Sequence, residues 1–335
     1  MTQGIEVTQL ERHYRLHGGS GGLWGRLRAL ASRDGETWVR AVDGVSFRIE
    51  PGEFVGYVGP NGAGKSSTLK MLTGILRPTG GEVRVWGLVP HRQRTVLASR
   101  IGVVFGQRTQ LWWDLSPAEG FELLRHIYRV DVATHRRRLA DLRDRLELGD
   151  FVRSPVRKLS LGQKMRCELA AALLHGPEVL FLDEPTIGLD VVVKAQLHAF
   201  LRQLNREHGV TVLLTSHDLD DIEQLCRRVM VLDHGHLLHD GDLPSLYRQH
   251  GHLRRLTVQL ADPDAPLDLP EGAVIDARDA ATITIVFDAD RVAAPDLVRS
   301  LLDAHEVRDL SVQEARIEEV IKRIYSTDHH PLQRP

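Results

Sequence analysis

Three things are scarce in this 335-residue chain, and each scarcity removes a class of explanation. Cysteine occurs twice, at Cys167 and Cys226, each inside an apolar helical pattern and neither in a CxxC pair. That argues against a disulfide framework or a zinc site and for a reducing compartment. No run approaches the roughly 20 apolar residues that span a bilayer. The opening MTQGIEVTQL also lacks the charged-then-apolar pattern of a secretory leader. Any work at a membrane is therefore expected from its surface. Charge of one sign is missing too: 43 Lys and Arg against 45 Asp and Glu leave a formal charge of −2. Nucleic-acid binders show a basic excess, so no nucleic-acid partner is expected. What is present, 42% hydrophobic and 26% charged residues, is ordinary for a globular protein, and the length suits two domains.

Short, almost wholly apolar runs alternate with helical patterns through the first 245 residues. Phe54–Gly59, Ile101–Phe105, Val179–Asp183, Val210–Thr215 and Val229–Asp233 read as strands of a parallel sheet covered on both faces. Val39–Ile49 with Glu53–Tyr57, and later Glu82–Trp86, suggest an antiparallel layer beside it. Between Gln107 and Lys158 the strand pattern disappears. Leu123, Leu124 and Ile127, then Leu139, Leu142 and Leu146, predict an inserted helical subdomain over about 108–160. Past Tyr247 strand candidates Leu256–Leu260, Ala273–Ala277, Thr282–Phe287 and Val307–Val312 mix with helices Pro295–Ala304 and Arg316–Tyr325. This predicts a small α+β domain over 246–328, with no chemistry of its own, and a flexible tail over 329–335. Segment 17–38 reads as a surface excursion between two strands, the alternative being contact with lipid headgroups or a membrane partner.

The chemistry is concentrated in two motifs. Gly59-Pro60-Asn61-Gly62-Ala63-Gly64-Lys65-Ser66, followed by Ser67, fits GxxxxGK[ST] between a strand and a helix. The glycines let the backbone wrap a polyphosphate and aim N–H groups at it from a helix N-terminus. Lys65 supplies a point charge, and the Ser66 hydroxyl suits Mg²⁺. The strand Val179–Asp183 then ends in Asp183-Glu184, placing carboxylates at the C-terminal edge of the sheet. Asp183 is expected to hold Mg²⁺ and Glu184 to polarise the attacking water.

Leu159-Ser160-Leu161-Gly162-Gln163 is not required by nucleotide binding in general. It resembles the LSGGQ signature of ABC ATPases. Gln107 looks like that family's Q-loop glutamine, Gly188-Leu189-Asp190 like its D-loop, and His217 in Thr215-Ser-His-Asp like its switch histidine. The resemblance covers roughly residues 1–245. It implies an α/β cassette with a parallel-sheet core, an antiparallel layer and a helical subdomain, bearing ATP and Mg²⁺ and hydrolysing ATP. It also implies that two copies, or this chain and a paralogous cassette, close around two ATP molecules. The Ser160 hydroxyl and the Gly162 N–H of one chain then meet the γ-phosphate held by the other, Gln163 is counted with them among the nucleotide-binding residues, and Asp190 lies at the seam. Gln107, Glu184, His217 and Lys65 are the implied catalytic set, and Ser66, Gln107 and Asp183 the implied metal set. Leu161 departs from the usual glycine, which puts a bulkier side chain toward the partner. The adenine-stacking ring is assigned to Tyr14, with Trp38 as its rival.

The phrases VVFGQRTQLWWDL and SHDLDDIEQLC look like ATP-binding subunits of bacterial exporters with a separate membrane polypeptide. The implied place is the cytoplasmic face of the membrane, as a peripheral subunit. An importer ATPase is the alternative, as is a non-transport ABC ATPase acting on a soluble partner. Of the adjacent Trp112 and Trp113, one is expected to pack internally and the other to anchor the membrane subunit, the alternative being that both fill the subdomain's core. The acidic set Asp218, Asp220, Asp221 and Glu223 reads as favourable charge at a helix start with no further role.

Overall fold

The computed structural model describes residues 4–16, 37–106, 108–249, 253–262, 265–279, 281–314 and 317–328. Segment 17–36, Gln107 and the tail 329–335 lie outside the described residues. The chain divides into two compact units, residues 1–240 and 241–335.

In the first unit, β1 (Ile5–Leu16), β2 (Thr37–Ile49) and β4 (Gly80–Val85) form an antiparallel sheet in the order β2-β1-β4. The expected partner Glu53–Tyr57 is not in this layer. Its residues form β3 (Phe54–Val58), which lies in the parallel sheet between strands that follow it in sequence. All five β3 residues are buried, and a strand covered on both faces cannot alternate with polar residues. The antiparallel partner is instead β1, whose charged residues (Glu6, Glu11, Arg12, Arg15) masked its strand pattern.

The second sheet has the order β5-β6-β7-β3-β8-β9, with β5 (Ile101–Phe105), β6 (Val179–Asp183), β7 (Thr211–Thr215), β8 (Arg228–Asp233) and β9 (His236–Asp242). The pairings from β5 through β8 are parallel. Register places Asp183 between Phe105 and Thr215, so the C-terminal ends of three strands finish level. Helix α1 (Lys65–Leu72) lies between the sheets. Its Leu69, Met71 and Leu72 join Val7, Leu10, Val45 and Val83 of the antiparallel layer and Tyr57, Phe181 and Leu213 of the parallel one in a single core. Burying each large aliphatic side chain there contributes roughly 2 kcal/mol.

After α2 (Arg94–Ala98), the region between β5 and β6 is helical: α3 (Pro117–Ile127), α4 (Val132–Arg145) and α5 (Leu161–Leu173), with two short 3₁₀ turns. Ser116 caps α3 in a reciprocal box with Glu119, and Asp131 caps α4. Leu124, Leu142 and Leu146 are buried, whereas Leu123 and Ile127 are exposed. Trp112 and Trp113 do not divide as expected, nor do both fill the core. Both are exposed, at 40% and 54%, and the adjacent Leu111 takes the interior position at 3%. Trp113 instead stacks under the Lys164 ammonium, 4.9 Å from its ring centre. Two further helices, α6 (Val191–His208) and α7 (Leu219–Leu225), follow β6 and β7.

The second unit opens with α8 (Leu243–Gln249). Its antiparallel sheet has the order β11-β12-β10-β13, from β10 (Leu253–Leu260), β11 (Ala273–Asp279), β12 (Thr282–Asp288) and β13 (Val307–Glu314). Leu256, Val258, Ile283, Ile285 and Phe287 pack against Leu297 and Leu301 of α9 (Ala294–Ala304). The apolar stripe of α10 (Ile317–Asp328), made by Ile317, Val320, Ile321 and Ile324, is buried, and α8 packs against this helix. Among the described residues, no helix is long and apolar enough to cross a membrane.

Candidate active site

The loop between β3 and α1 is shaped by what its glycines permit. Gly64 has φ +107, and a Cβ there would lie 2.3 Å from the Ala41 carbonyl oxygen, so the packed side of the loop has no room for a side chain. Gly62 has φ +88, with nothing within 4 Å of where a Cβ would point. One glycine answers to packing and the other leaves an open concave face that a bound group can approach. Gly64 is also the N-cap of α1 and provides no side-chain cap, so the first-turn N–H groups are left for an anion. Thr68 bonds back to the Gly64 carbonyl at 3.1 Å and accepts from the buried Tyr57 hydroxyl at 3.2 Å, fixing the helix start. Ala63 is buried beneath the loop.

Lys65 is buried, and its ammonium donates to the carbonyls of Gly59 (2.5 Å) and Pro60 (3.1 Å). Burial pushes its pKa below the ordinary lysine value, and the carboxylates of Glu184 and Asp183 oppose that shift. Ser66 Oγ donates to Asp183 Oδ2 at 3.3 Å, and Thr215 Oγ1 donates to the other Asp183 oxygen at 2.6 Å. A hydroxyl and a carboxylate so placed are the hard oxygen donors that suit Mg²⁺.

Glu184 follows at φ +54, a left-handed conformation that costs a non-glycine residue on the order of 1 kcal/mol. It is held there by its amide, which donates to the Thr215 carbonyl at 3.0 Å, and by Gly106, where a Cβ would lie 2.3 Å from the Glu184 carbonyl oxygen. The bend turns the Glu184 carboxylate to His217, whose Nδ1 lies 3.0 Å from Oε1. Asn61, Ser66, Phe105, Arg108, Asp183 and Glu184 line a cavity of about 360 Å³. Gln107, outside the described residues, falls in sequence between Gly106 and Arg108, which both line it. A larger cleft of about 640 Å³, near Pro51, Asn205 and Arg227, lies at the N-terminal ends of β3 and β8 and holds none of the motif side chains.

Tyr14 lies on β1 with its hydroxyl 3.2 Å from Ser67 Oγ and its ring under the Arg12 guanidinium. Trp38 sits on β2 opposite Arg15 and is mostly exposed. Tyr14 is thus the ring joined to the phosphate-loop helix.

The remaining motif residues form a second group. Ser160 caps α5: its Oγ accepts from Gln163 N at 3.2 Å, while its own N–H donates to Gln163 Oε1 at 3.0 Å. Asp190 caps α6, accepting from Val192 N and Val193 N. Gly162 faces Val193, whose methyl carbons would stand 3.1–3.2 Å from an added Cβ. Leu161 does not simply project outward. It remains 44% exposed, but its Cδ2 lies 2.9 Å from where a Gly188 Cβ would be, so it leans on the turn before Asp190 in the same chain. None of Ser160, Gly162, Gln163 and Asp190 lines the cavity at the phosphate loop.

Two residues escaped the sequence reading. Glu168 on α5 is buried and accepts from Thr109 Oγ1 and from Gln110 N, two and three residues after Gln107; burial pushes its carboxyl pKa up. Asp221, read as helix-start charge, is fully buried and serves as a hydrogen-bond hub. Neither position was legible, because an acid in a helical pattern is ordinarily solvated and the burial arises from elements distant in sequence.

The geometry is that of a phosphate-binding loop set beside paired carboxylates, with the remaining motif residues outside its cavity. Comparison with known proteins then narrows the class. Residues 42–187 match the family described as ABC transporter. The chain is 34% identical over 215 residues to the ABC transporter ATP-binding protein NatA of Bacillus subtilis, covering 64% of this chain and 87% of that one. It is 32% identical over 299 residues to the daunorubicin resistance ATP-binding protein DrrA3 of Streptomyces coeruleorubidus, covering 86% and 92%. Among solved structures, a dimeric ATP-binding cassette in a post-hydrolysis state bound to ADP and Pi superposes with a TM-score of 0.61 at 27% identity, covering 71% of this chain and 98% of that one. The chain belongs to the ATP-binding proteins of ABC transporters and is an ATP hydrolase of that class.

Proposed function

We propose that this chain dimerises around two ATP molecules and powers export of a small molecule through a separate membrane subunit. The observation that carries the reading is the division of its motifs. Ser66, Asp183 and Glu184 line one cavity, with His217 paired to Glu184 and Lys65 beside both carboxylates, while Ser160, Gly162, Gln163 and Asp190 cap or begin helices outside its lining. Two copies arranged head to tail bring the second set of each onto the other's phosphate loop.

In that arrangement the backbone of Gly59–Gly64 and Ser67, with the Asn61 and Lys65 side chains, holds the phosphates. Lys65 exchanges its two loop carbonyls for phosphate oxygens. Ser66 and Asp183, with Gln107, hold Mg²⁺, which neutralises phosphate charge when bound. Glu184 orients the attacking water and accepts its proton, and His217, already paired with that carboxylate, steadies it and the γ-phosphate. The Ser160 oxygen accepts from Gln163 N, and in this arrangement its hydroxyl proton is donated across the seam. Tyr14 stacks on adenine.

Export is supported by the named relatives, which include a daunorubicin resistance protein and a Nod factor export protein of Paraburkholderia xenovorans. It is also supported by the second unit, an open four-stranded sheet with helices and not a barrel of the importer kind. The exposed Trp112 and Trp113, at the entrance to the helical subdomain, are the surface offered to the membrane subunit. Reconstitution in vesicles with a membrane subunit that co-purifies with the chain, followed by assay of ATP-dependent efflux, tests the reading. Uptake in place of efflux, or no vectorial transport with a competent membrane partner, would refute it.

A further inference from the structure

The loop that carries the switch histidine, the turn after the acidic strand end and the helix behind Asp190 are three different segments, yet a single side chain is hydrogen-bonded to a residue of each. Asp221 Oδ2 accepts from Thr186 Oγ1 at 2.5 Å and from Ser216 Oγ at 2.9 Å. Thr186 lies two residues after Glu184, and Ser216 immediately precedes His217. The other oxygen, Oδ1, meets His198 Nε2 at 2.9 Å and Lys194 Nζ at 2.8 Å. Both belong to α6, whose N-cap is Asp190. One carboxylate oxygen thus ties the two catalytic loops to each other, and the second ties them to the helix that presents Asp190.

The surroundings reinforce this assignment. Lys194 also donates to Asp218 at 2.5 Å, and the Asp218 amide donates to Ser216 Oγ at 3.0 Å, so the switch loop is closed on itself as well as on α6. His198 is buried and bonded at its other nitrogen to Gln224. With no solvent to substitute, a missing partner leaves an unpaired buried polar group, and the loops must shift to satisfy it. Although burial alone would raise its pKa, Asp221 is held down at about 2 by the bonds from His198, Lys194, Thr186 and Ser216, so it is a carboxylate at every working pH.

We propose that Asp221 is a positioning residue for ATP hydrolysis: it fixes the Glu184 turn and the His217 loop relative to each other and links both to the helix carrying Asp190, so that the seam and the reacting edge move as one piece. This rests on the catalytic roles proposed above for Glu184 and His217. None of the network's hydrogen bonds given above reaches the phosphate loop, so disturbing it should change turnover and leave ATP affinity alone.

The test uses the full chain with Mg-ATP, comparing Asp221→Asn, Thr186→Val, Ser216→Ala and the Thr186→Val/Ser216→Ala pair, with Glu184→Gln as reference. The expected result is at least a tenfold fall in kcat for Asp221→Asn, with KM for ATP and the measured ATP Kd within twofold of wild type. Each hydroxyl variant should lose severalfold in kcat. The pair should lose less than the product of the two, because both act through one oxygen. If Asp221→Asn fails to fold, the two hydroxyl variants decide: Thr186→Val removes one bond, Ser216→Ala removes that to Asp221 and that from the Asp218 amide, and both leave the carboxylate paired. Wild-type kcat in both hydroxyl variants, or a kcat loss matched by an equal loss of ATP binding, would overturn the assignment. Retained turnover in Glu184→Gln would instead refute the underlying reading of the site.

Discussion

The phosphate-loop edge and the signature surface carry equally specific motifs but differ in how completely this chain finishes them. At the first, Lys65 is buried, Asp183 is bonded from two sides, Glu184 is held in a left-handed bend and His217 already rests against it. At the second, the Ser160 and Asp190 side-chain oxygens accept from N–H groups of their own helices, while Val191 and Val192 stand 83% and 67% exposed directly after Asp190. Two valines in water at a helix start, beside the Asp190 cap, fit one half of the contact that the proposed dimer requires. On the proposed function, the difference means that the reaction's geometry is preorganised within one subunit and its completion is left to association.

Substitutions at the finished edge should have the largest effects. Glu184→Gln should slow turnover about 100- to 1000-fold, equivalent to roughly 3–4 kcal/mol of barrier, with ATP affinity unchanged. Lys65→Ala should instead weaken ATP binding about 10- to 100-fold. Steady-state kinetics beside nucleotide titration separates the two, and a Glu184→Gln enzyme of near-normal kcat would remove the contrast. At the unfinished surface, Val191→Glu should leave the melting temperature within about 2 °C, since exposed substitutions usually change stability by less than about 0.5 kcal/mol. It should nonetheless abolish ATP-driven association and reduce turnover about tenfold. Unchanged turnover in that variant would show that the exposed valines are not at the seam.

A smaller effect is expected at the tryptophans. Trp113→Ala should reduce complex formation with the membrane subunit severalfold in a pull-down, while the isolated chain keeps its ATPase rate. A matching loss of stability in the free chain would return Trp113 to a packing role. The smallest concerns acid. The Asp221 carboxyl sits at about 2 in the fold against roughly 4 in an unfolded chain. Its contribution to stability is therefore complete above about pH 4 and is lost as pH falls toward 2. Urea unfolding between pH 5 and 2 should show a shallower pH slope for Asp221→Asn than for wild type.

The parts that were legible in the sequence are those fixed locally. The runs Ile101–Phe105 and Val179–Asp183 were read with their observed ends because a doubly covered strand is a bare apolar run. GxxxxGK[ST] was legible because each glycine answers a backbone requirement. Strand β1 was hidden by its charges, and β3 was given two conflicting partners because strand order is a property of the whole sheet. Asp221 was misread for a related reason: its partners Thr186, His198 and Ser216 lie on other elements, and nothing in LDDIEQL distinguishes the buried acid from its solvated neighbours. At Leu111-Trp112-Trp113 it is the leucine that is buried and both rings that are exposed, which residue type alone does not indicate.

Sedimentation velocity of the Glu184→Gln chain, with and without Mg-ATP, tests the central claim most directly. Blocking hydrolysis should trap the closed pair, so ATP should convert a monomer into a species of twice its mass, and Val191→Glu in the same background should prevent the conversion. A Glu184→Gln chain that binds ATP yet stays monomeric at every concentration, with the membrane subunit present as well as absent, would contradict the account.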